Sequence, residues 1–136
     1  MRLNQASDFA LRILMLLADR DGPMTVDAVT DELQLVKSHV MKIVAKLAKA
    51  GVLNSTRGRA GGIGLARPLG DISVGEVVRL IEADFAVVEC MREGESSCVF
   101  CSNCKLRGVM NSATRAFLQV LDEQTLQSIK VPLPAR

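Results

Sequence analysis

The sequence has no tryptophan, no tyrosine and only four phenylalanines among its 136 residues. We therefore do not expect it to bind nucleic acid by stacking bases on aromatic rings, as many single-strand binders do. The longest apolar run covers residues 13–18, far short of the roughly 20 residues that span a bilayer. The N-terminal residues also lack a signal-peptide pattern, so we expect a cytoplasmic location.

Acidic residues are missing from residues 34–70, and this stretch carries seven positive charges. Over the first 70 residues ten Lys and Arg stand against six Asp and Glu, whereas the remainder has seven against nine. Charge runs are often only solvated surface, but a basic stretch without interleaved acids favours contact with phosphates. The seven basic residues are Lys37, Lys42, Lys46, Lys49, Arg57, Arg59 and Arg67.

Apolar spacing of three and four predicts three helices in the first 50 residues. The first has a stripe from Phe9 to Leu17, the second follows a Thr25 N-cap, and the third has an inner stripe from Val40 to Leu47. A short break separates the second helix from the basic third helix, as in a helix-turn-helix. The expected contacts of the third helix with DNA are Lys37, Ser38, His39, Lys42 and Lys46.

Residues 52–66 predict two short strands around a glycine-rich turn. Arg57 and Arg59 lie in this turn, and arginines at a hairpin tip suit the negative potential of a narrow minor groove. A nucleotide-binding loop is disfavoured because neither a Gly-Lys-Ser/Thr motif nor a helix follows. We therefore expect a mainly α fold with a small β-hairpin wing, forming a winged helix-turn-helix domain over residues 1–70 that binds a double-stranded DNA operator.

Residues 71–136 predict a connecting helix and cysteine loop over 71–105, a long helix over 106–130 and a tail over 131–136. The long helix has more apolar surface than so small a domain covers by itself. Folding back on its own chain is one solution, but two-fold symmetry also suits a protein that reads two half-sites. We expect a homodimer joined through this helix.

Four cysteines lie between Cys90 and Cys104, with the others at Cys98 and Cys101. In a reducing compartment such a group favours a metal site over disulfides. Three cysteines on one short loop favour an iron–sulfur cluster over zinc, whose structural sites usually use two separated pairs. The run resembles that of bacterial ferredoxins but lacks the fourth cysteine, since residue 108 is glycine.

Seven motifs lie at residues 8–12, 39–43, 57–62, 88–90, 104–106, 116–118 and 121–126. Together they resemble the Rrf2 family of winged-helix iron–sulfur regulators. The resemblance covers about 130 residues and is strongest to the nitric-oxide-responsive repressors. It implies a homodimeric transcription factor that carries a cluster, most simply [4Fe-4S] with [2Fe-2S] as the alternative, and that releases DNA when nitric oxide attacks the cluster.

The resemblance also implies a ligand set. The family's three cluster cysteines correspond to Cys90, Cys98 and Cys104. Cys101 is additional, and we expect it to be dispensable for holding the cluster. Some members place a histidine three residues after the last cysteine, where this chain has Arg107. In nitric-oxide-responsive members an aspartate from the partner subunit completes the site, and Asp8 occupies that position.

One departure and two alternative functions accompany this interpretation. Val36 stands where the family usually has serine before the third helix, so Ser38 is an alternative cap that would shift the helix start. A regulator that responds to iron or cluster availability is the first alternative function, and a ferredoxin-like electron-transfer protein is the second. An enzyme is not expected, because the residues of a hydrolytic metal site are missing.

Overall fold

The computed structural model describes residues 2–56, 61–92, 94, 97–100 and 103–133. Two antiparallel strands form a hairpin in which Leu53 pairs with Leu65 and Ser55 with Ile63. The strands are β1 (Leu53–Ser55) and β2 (Ile63–Leu65), and the helices are α1 (Gln5–Asp19), α2 (Val26–Leu33), α3 (Lys37–Lys49), α4 (Val74–Ile81), α5 (Lys105–Asp122) and α6 (Leu126–Ile129). This arrangement confirms the predicted mainly α fold with a hairpin wing and a long C-terminal helix.

The hydrophobic core lies where α1, α2, α3 and α4 meet the hairpin. The predicted inner stripes of α1 and α3 are buried in it, with Ile13, Leu14, Val40 and Leu47 completely inaccessible. The hairpin is attached to the segment before α2 by two backbone hydrogen bonds between Met24 and Ile63, at 2.9 and 2.7 Å. The wing is therefore held to the helical domain by its base.

The break between α2 and α3 forms the turn of the helix-turn-helix. Thr25 caps α2 as predicted, because its Oγ1 accepts a hydrogen bond from the Ala28 amide at 3.1 Å. Gln34 ends α2 in the left-handed region with φ +53°. Helix α3 then begins at Lys37 with Val36 as an N-cap that makes no side-chain hydrogen bond. The alternative start at Ser38 is wrong, since Ser38 lies within the first turn.

The C-terminal helix is shorter than the sequence suggests. We predicted one helix over 106–130, whereas α5 ends at Asp122 and residues 126–129 form the separate helix α6. The Thr125 hydroxyl caps α6, and its side chain and that of Ser128 form a capping box. Leu126 is then buried in the winged-helix core. The chain thus returns to the first domain after α5.

The apolar surface of α5 is only partly covered by its own chain. Helix α5 packs against α4, and Thr114 is its buried residue. Leu106, Val109 and Val120 stay exposed, at 55%, 61% and 59% of their surface. No helix in the described part of the chain is long and apolar enough to cross a membrane.

Candidate metal centre and nucleic-acid interface

Three of the four cysteines line one cavity of about 640 Å³. Cys90 lies in a short 3-10 turn, Glu89–Met91, and Cys104 is the N-cap of α5. Cys98 comes from the loop between them, and all three side chains are half-buried. The fold therefore places the three cysteines that the resemblance selects on the lining of one cavity, and we call this space the cysteine cavity.

Charged and apolar residues surround the three cysteines. Lys105 and Arg107 line the cysteine cavity together with Glu89, while Val88 and Leu106 contribute apolar wall. Sulfur donors in a partly apolar site suit an iron–sulfur cluster, whose potential depends on solvent exposure and local charge. The residues present thus fit such a group.

No three His, Cys, Asp or Glu side chains within the described ranges are grouped to hold a metal ion. Cys101 lies outside the described residues, so the prediction that it is not a ligand stays a prediction. Cys90, Cys98 and Cys104 are related in this structure by lining the same cavity.

Asp8 lies on α1, away from the cysteine cavity of its own chain. Its carboxylate pairs with Arg12 one turn later, with Arg12 Nη2 2.7 Å from Asp8 Oδ2. It lines a separate depression together with Leu3 and Leu11. A role for Asp8 as a metal ligand therefore depends on a second subunit and stays a prediction.

The exposed side of α3 carries the residues predicted to contact DNA. All five are exposed, and we call this surface the α3 face: Lys37, Ser38, His39, Lys42 and Lys46. Lys37 Nζ lies 2.5 Å from Asp27 Oδ1 on α2, and the His39 ring lies 6.4 Å from the Phe9 ring. These contacts hold the start of α3 against its neighbours while Lys42 and Lys46 point to solvent.

The predicted basic stretch also includes Arg67 and the two wing arginines, Arg57 and Arg59. Arg67 does not extend the basic surface, because its Nη2 lies 2.6 Å from Glu76 Oε1 and both side chains are partly covered. Arg57 and Arg59 lie outside the described residues, so their contact with DNA stays a prediction.

Sequence reasoning missed one residue of this surface. Met41 is 54% exposed beside the α3 face, although an apolar residue within a helix is usually assigned to the core. An exposed methionine beside lysines offers apolar contact of the kind that a thymine methyl group receives. Helical periodicity indicates this exposure, because Met41 falls outside the buried stripe of Val40, Val44 and Leu47.

Comparison with known proteins agrees with this geometry. Residues 3–131 match the model of the Rrf2 family, described as an iron-dependent transcriptional regulator. The chain belongs to the Rrf2 family. The Bacillus licheniformis protein named HTH-type transcriptional regulator NsrR is 38% identical over 131 residues, which cover 95% of this chain and 92% of that protein.

Solved structures of Rrf2 regulators share the fold. IscR of T. potens superposes with a TM-score of 0.75 at 23% identity, covering 95% of this chain and 85% of that one. CymR, the global cysteine regulator of B. subtilis, superposes with a TM-score of 0.75 at 24% identity, covering 95% of each chain. As a member of the Rrf2 family the chain is a DNA-binding transcriptional regulator and not an enzyme, as predicted. The electron-transfer hypothesis is left without support.

Proposed function

We propose that this Rrf2 regulator is a cytoplasmic homodimeric repressor that holds an iron–sulfur cluster and releases its operator in response to nitric oxide. The observation that carries the proposal is the convergence of Cys90, Cys98 and Cys104 on one cavity at the start of α5. The NsrR name of the 38% identical Bacillus licheniformis relative supports the nitric-oxide branch of the family. A [4Fe-4S] cluster is the proposed form, with [2Fe-2S] as the alternative.

The exposed apolar side of α5 supports a dimer. Leu106, Val109 and Val120 follow one another at intervals of three and eleven residues, which places them on related faces of a helix. A second copy of α5 would cover this surface, and reading two half-sites would then require the two α3 faces to lie about one duplex repeat apart, roughly 34–36 Å. We propose that this surface joins the two subunits.

Each functional residue has a defined task in this proposal. The thiolates of Cys90, Cys98 and Cys104 hold the cluster, and the carboxylate of Asp8 reaches from the partner subunit to complete the site. When bound, the cluster supplies iron that reacts with nitric oxide. An oxygen ligand is weaker than a thiolate for this iron, so Asp8 is the ligand most easily displaced. Loss of the Asp8 contact then frees α1 of one subunit from the cysteine loop of the other.

Anaerobic purification followed by an absorption spectrum and iron and sulfide analysis tests the cofactor. We expect iron and sulfide in the wild type and in Cys101→Ala, and loss of both in Cys90→Ala, Cys98→Ala and Cys104→Ala. Cys101→Ala is the matched control because it removes a thiol from the same loop. A cluster that is lost in Cys101→Ala but retained in Cys90→Ala would contradict this ligand set.

The role of Asp8 needs a separate measurement. Asp8→Ala should keep iron and sulfide through the cysteines yet bind operator DNA poorly, because the link between subunits is lost. Arg12→Ala is the matched control, since it removes the other half of the Asp8–Arg12 ion pair and leaves the carboxylate in place. An Asp8→Ala protein with normal DNA affinity and a normal nitric oxide response would show that Asp8 serves only as a carboxylate in the first turn of α1.

A regulator of iron or cluster availability is the second candidate, because the matched family is described as iron-dependent. The two functions differ in what releases DNA from the cluster-loaded protein. Nitric oxide without iron removal should release DNA under the first proposal. Release by an iron chelator together with indifference to stoichiometric nitric oxide would instead support the second.

A further inference from the structure

Asn4 and Glu82 form a two-pronged hydrogen-bonded pair outside the cysteine cavity. The Asn4 backbone amide donates to Glu82 Oε1 at 2.8 Å, and Asn4 Nδ2 donates to Glu82 Oε2 at 2.9 Å. Hydrogen bonds to an ionised acceptor are stronger than neutral ones, and the paired geometry fixes orientation as well as distance. We call this pair the Asn4–Glu82 clamp.

The two residues lie at helix ends, Asn4 before α1 and Glu82 after α4. Asn4 is the N-cap of α1, where its Oδ1 accepts from the Ser7 amide at 2.8 Å and its carbonyl accepts from the Asp8 amide at 3.3 Å. Glu82 is the C-cap of α4 and the last residue before the segment that carries the cysteines. The clamp therefore joins the turn that carries Asp8 to the start of the cysteine loop within one subunit.

We propose that the Asn4–Glu82 clamp couples the two cluster sites of the dimer, so that loading one site favours loading the other. The inference rests on the proposed function, in which Asp8 serves the partner's cysteines. Asn4 and Glu82 are positioning residues in this scheme, and neither contacts the cluster.

The direction of the coupling follows from the connectivity. A cluster in the first site fixes the cysteine loop of one subunit and, through Asp8, helix α1 of the other. The clamp of the first subunit then holds its own α1, and the clamp of the second subunit holds its own cysteine loop. Helix α1 of the first subunit and the cysteine loop of the second subunit make up the second site. Both are already ordered when the second cluster binds, so the second binding step loses less conformational entropy. Binding is therefore positively cooperative.

The clamp can be broken without removing the cap of α1. In Asn4→Asp the side chain still caps the helix, because aspartate is as good an N-cap as asparagine. The Nδ2 donor becomes a second carboxylate oxygen, however, and it faces the Glu82 carboxylate. Glu82→Gln likewise leaves one side-chain oxygen for two Asn4 donors, so that an amide group faces a donor. The double variant Asn4→Asp/Glu82→Gln restores the side-chain hydrogen bond with donor and acceptor exchanged, while the backbone amide of residue 4 still donates to the remaining side-chain oxygen at position 82.

Native mass spectrometry of partly reconstituted protein gives the test, because it counts dimers with no, one and two clusters. In the wild type and the double variant we expect one-cluster dimers to be depleted, corresponding to a coupling factor of about fivefold or more. In each single variant the distribution should move toward the random one for independent sites. A random distribution in the wild type, or undiminished depletion in both single variants, would overturn the coupling.

A purely structural role would not give this pattern. Thermal unfolding of the cluster-free proteins checks that the single variants fold, and failure of one to fold leaves the other single variant and the double variant to decide. If the wild type binds no cluster at all, the proposed function fails. If it binds clusters at random, the proposed function stands and the coupling alone is refuted.

Discussion

Arg79 and Asp122 form an ion pair that fastens the end of α5 to α4. Arg79 Nη1 donates to Asp122 Oδ1, and Arg79 Nη2 donates to Asp122 Oδ2 at 2.8 Å. Gly75, one turn before Arg79, leaves the space that the Asp122 carboxylate occupies. Because α4 packs against both α1 and α3, the pair fixes the long helix relative to the α3 face.

The Arg79–Asp122 pair predicts a pH-dependent contribution to stability. The hydrogen bond from Arg79 holds the pKa of Asp122 below its usual 3.8. The unfolded chain therefore takes up its proton at a higher pH than the folded one, so the contribution is complete above the usual carboxyl range and is lost as the pH falls through the lowered pKa. We expect the urea midpoints of wild type and Asp122→Asn to differ at neutral pH and to converge in acid.

Glu123→Gln is the control for this experiment. It removes a neighbouring carboxylate that takes no part in the Arg79–Asp122 pair. A difference between wild type and Asp122→Asn that stays constant from neutral to acidic pH would show that the ion pair is not its source.

Gly75→Ala should gain less stability than the higher helix propensity of alanine alone would give. A Cβ at this position would overlap the Asp122 carboxylate, so this flexible, partly exposed side chain must move and weaken an ion pair that contributes only modestly to stability at such exposure. Gly108→Ala is the matched control, because it lies in α5 with open space around its Cβ position. That change should stabilise by about 0.5–1 kcal/mol. Urea unfolding at one fixed protein concentration measures the free energy of unfolding of both variants. An equal change in Gly75→Ala and Gly108→Ala would contradict the steric argument.

Gln34→Gly should stabilise the helix-turn-helix. Gln34 has φ +53°, a left-handed conformation that costs a residue with a Cβ roughly 1 kcal/mol and glycine almost nothing. The loss of the hydrogen bond from Gln34 Nε2 to the Asp31 carbonyl offsets part of this gain. Gly51→Ala is the converse control. Gly51 has φ +72°, so this variant should lose about 1 kcal/mol of folding stability. Chemical unfolding that shows no gain for Gln34→Gly would contradict the prediction.

DNA affinity should fall steeply with salt. If the dimer neutralises about six phosphates, the logarithm of the binding constant against that of salt concentration has a slope near −5. Lys42→Ala and Lys46→Ala should each reduce the slope by roughly 2, because the dimer has two copies of each lysine. Titration of a non-specific duplex measures this, with the exposed Lys130→Ala as control. A wild-type slope near zero would contradict the assignment of the α3 face.

The sequence alone predicted the winged-helix domain because its signals are local. The buried stripes of α1 and α3, the Thr25 cap and the glycine-rich hairpin each depend on residues close together in the chain. The same holds for the cysteine set, since the resemblance selects Cys90, Cys98 and Cys104 from a group within one short segment of the chain. The exposed lysines of α3 followed from periodicity, which separates an outer from an inner face.

The tertiary structure decided what depends on distant residues. Helix α5 ends at Asp122 because the chain turns to bury Leu126, and helical spacing cannot show where a distant core will accept a side chain. Arg67 leaves the basic surface because Glu76 on α4 lies beside it. The Asn4–Glu82 clamp joins residues 78 positions apart. Charge and periodicity are properties of the chain, whereas the partner of each charged or apolar group is set by how the helices pack.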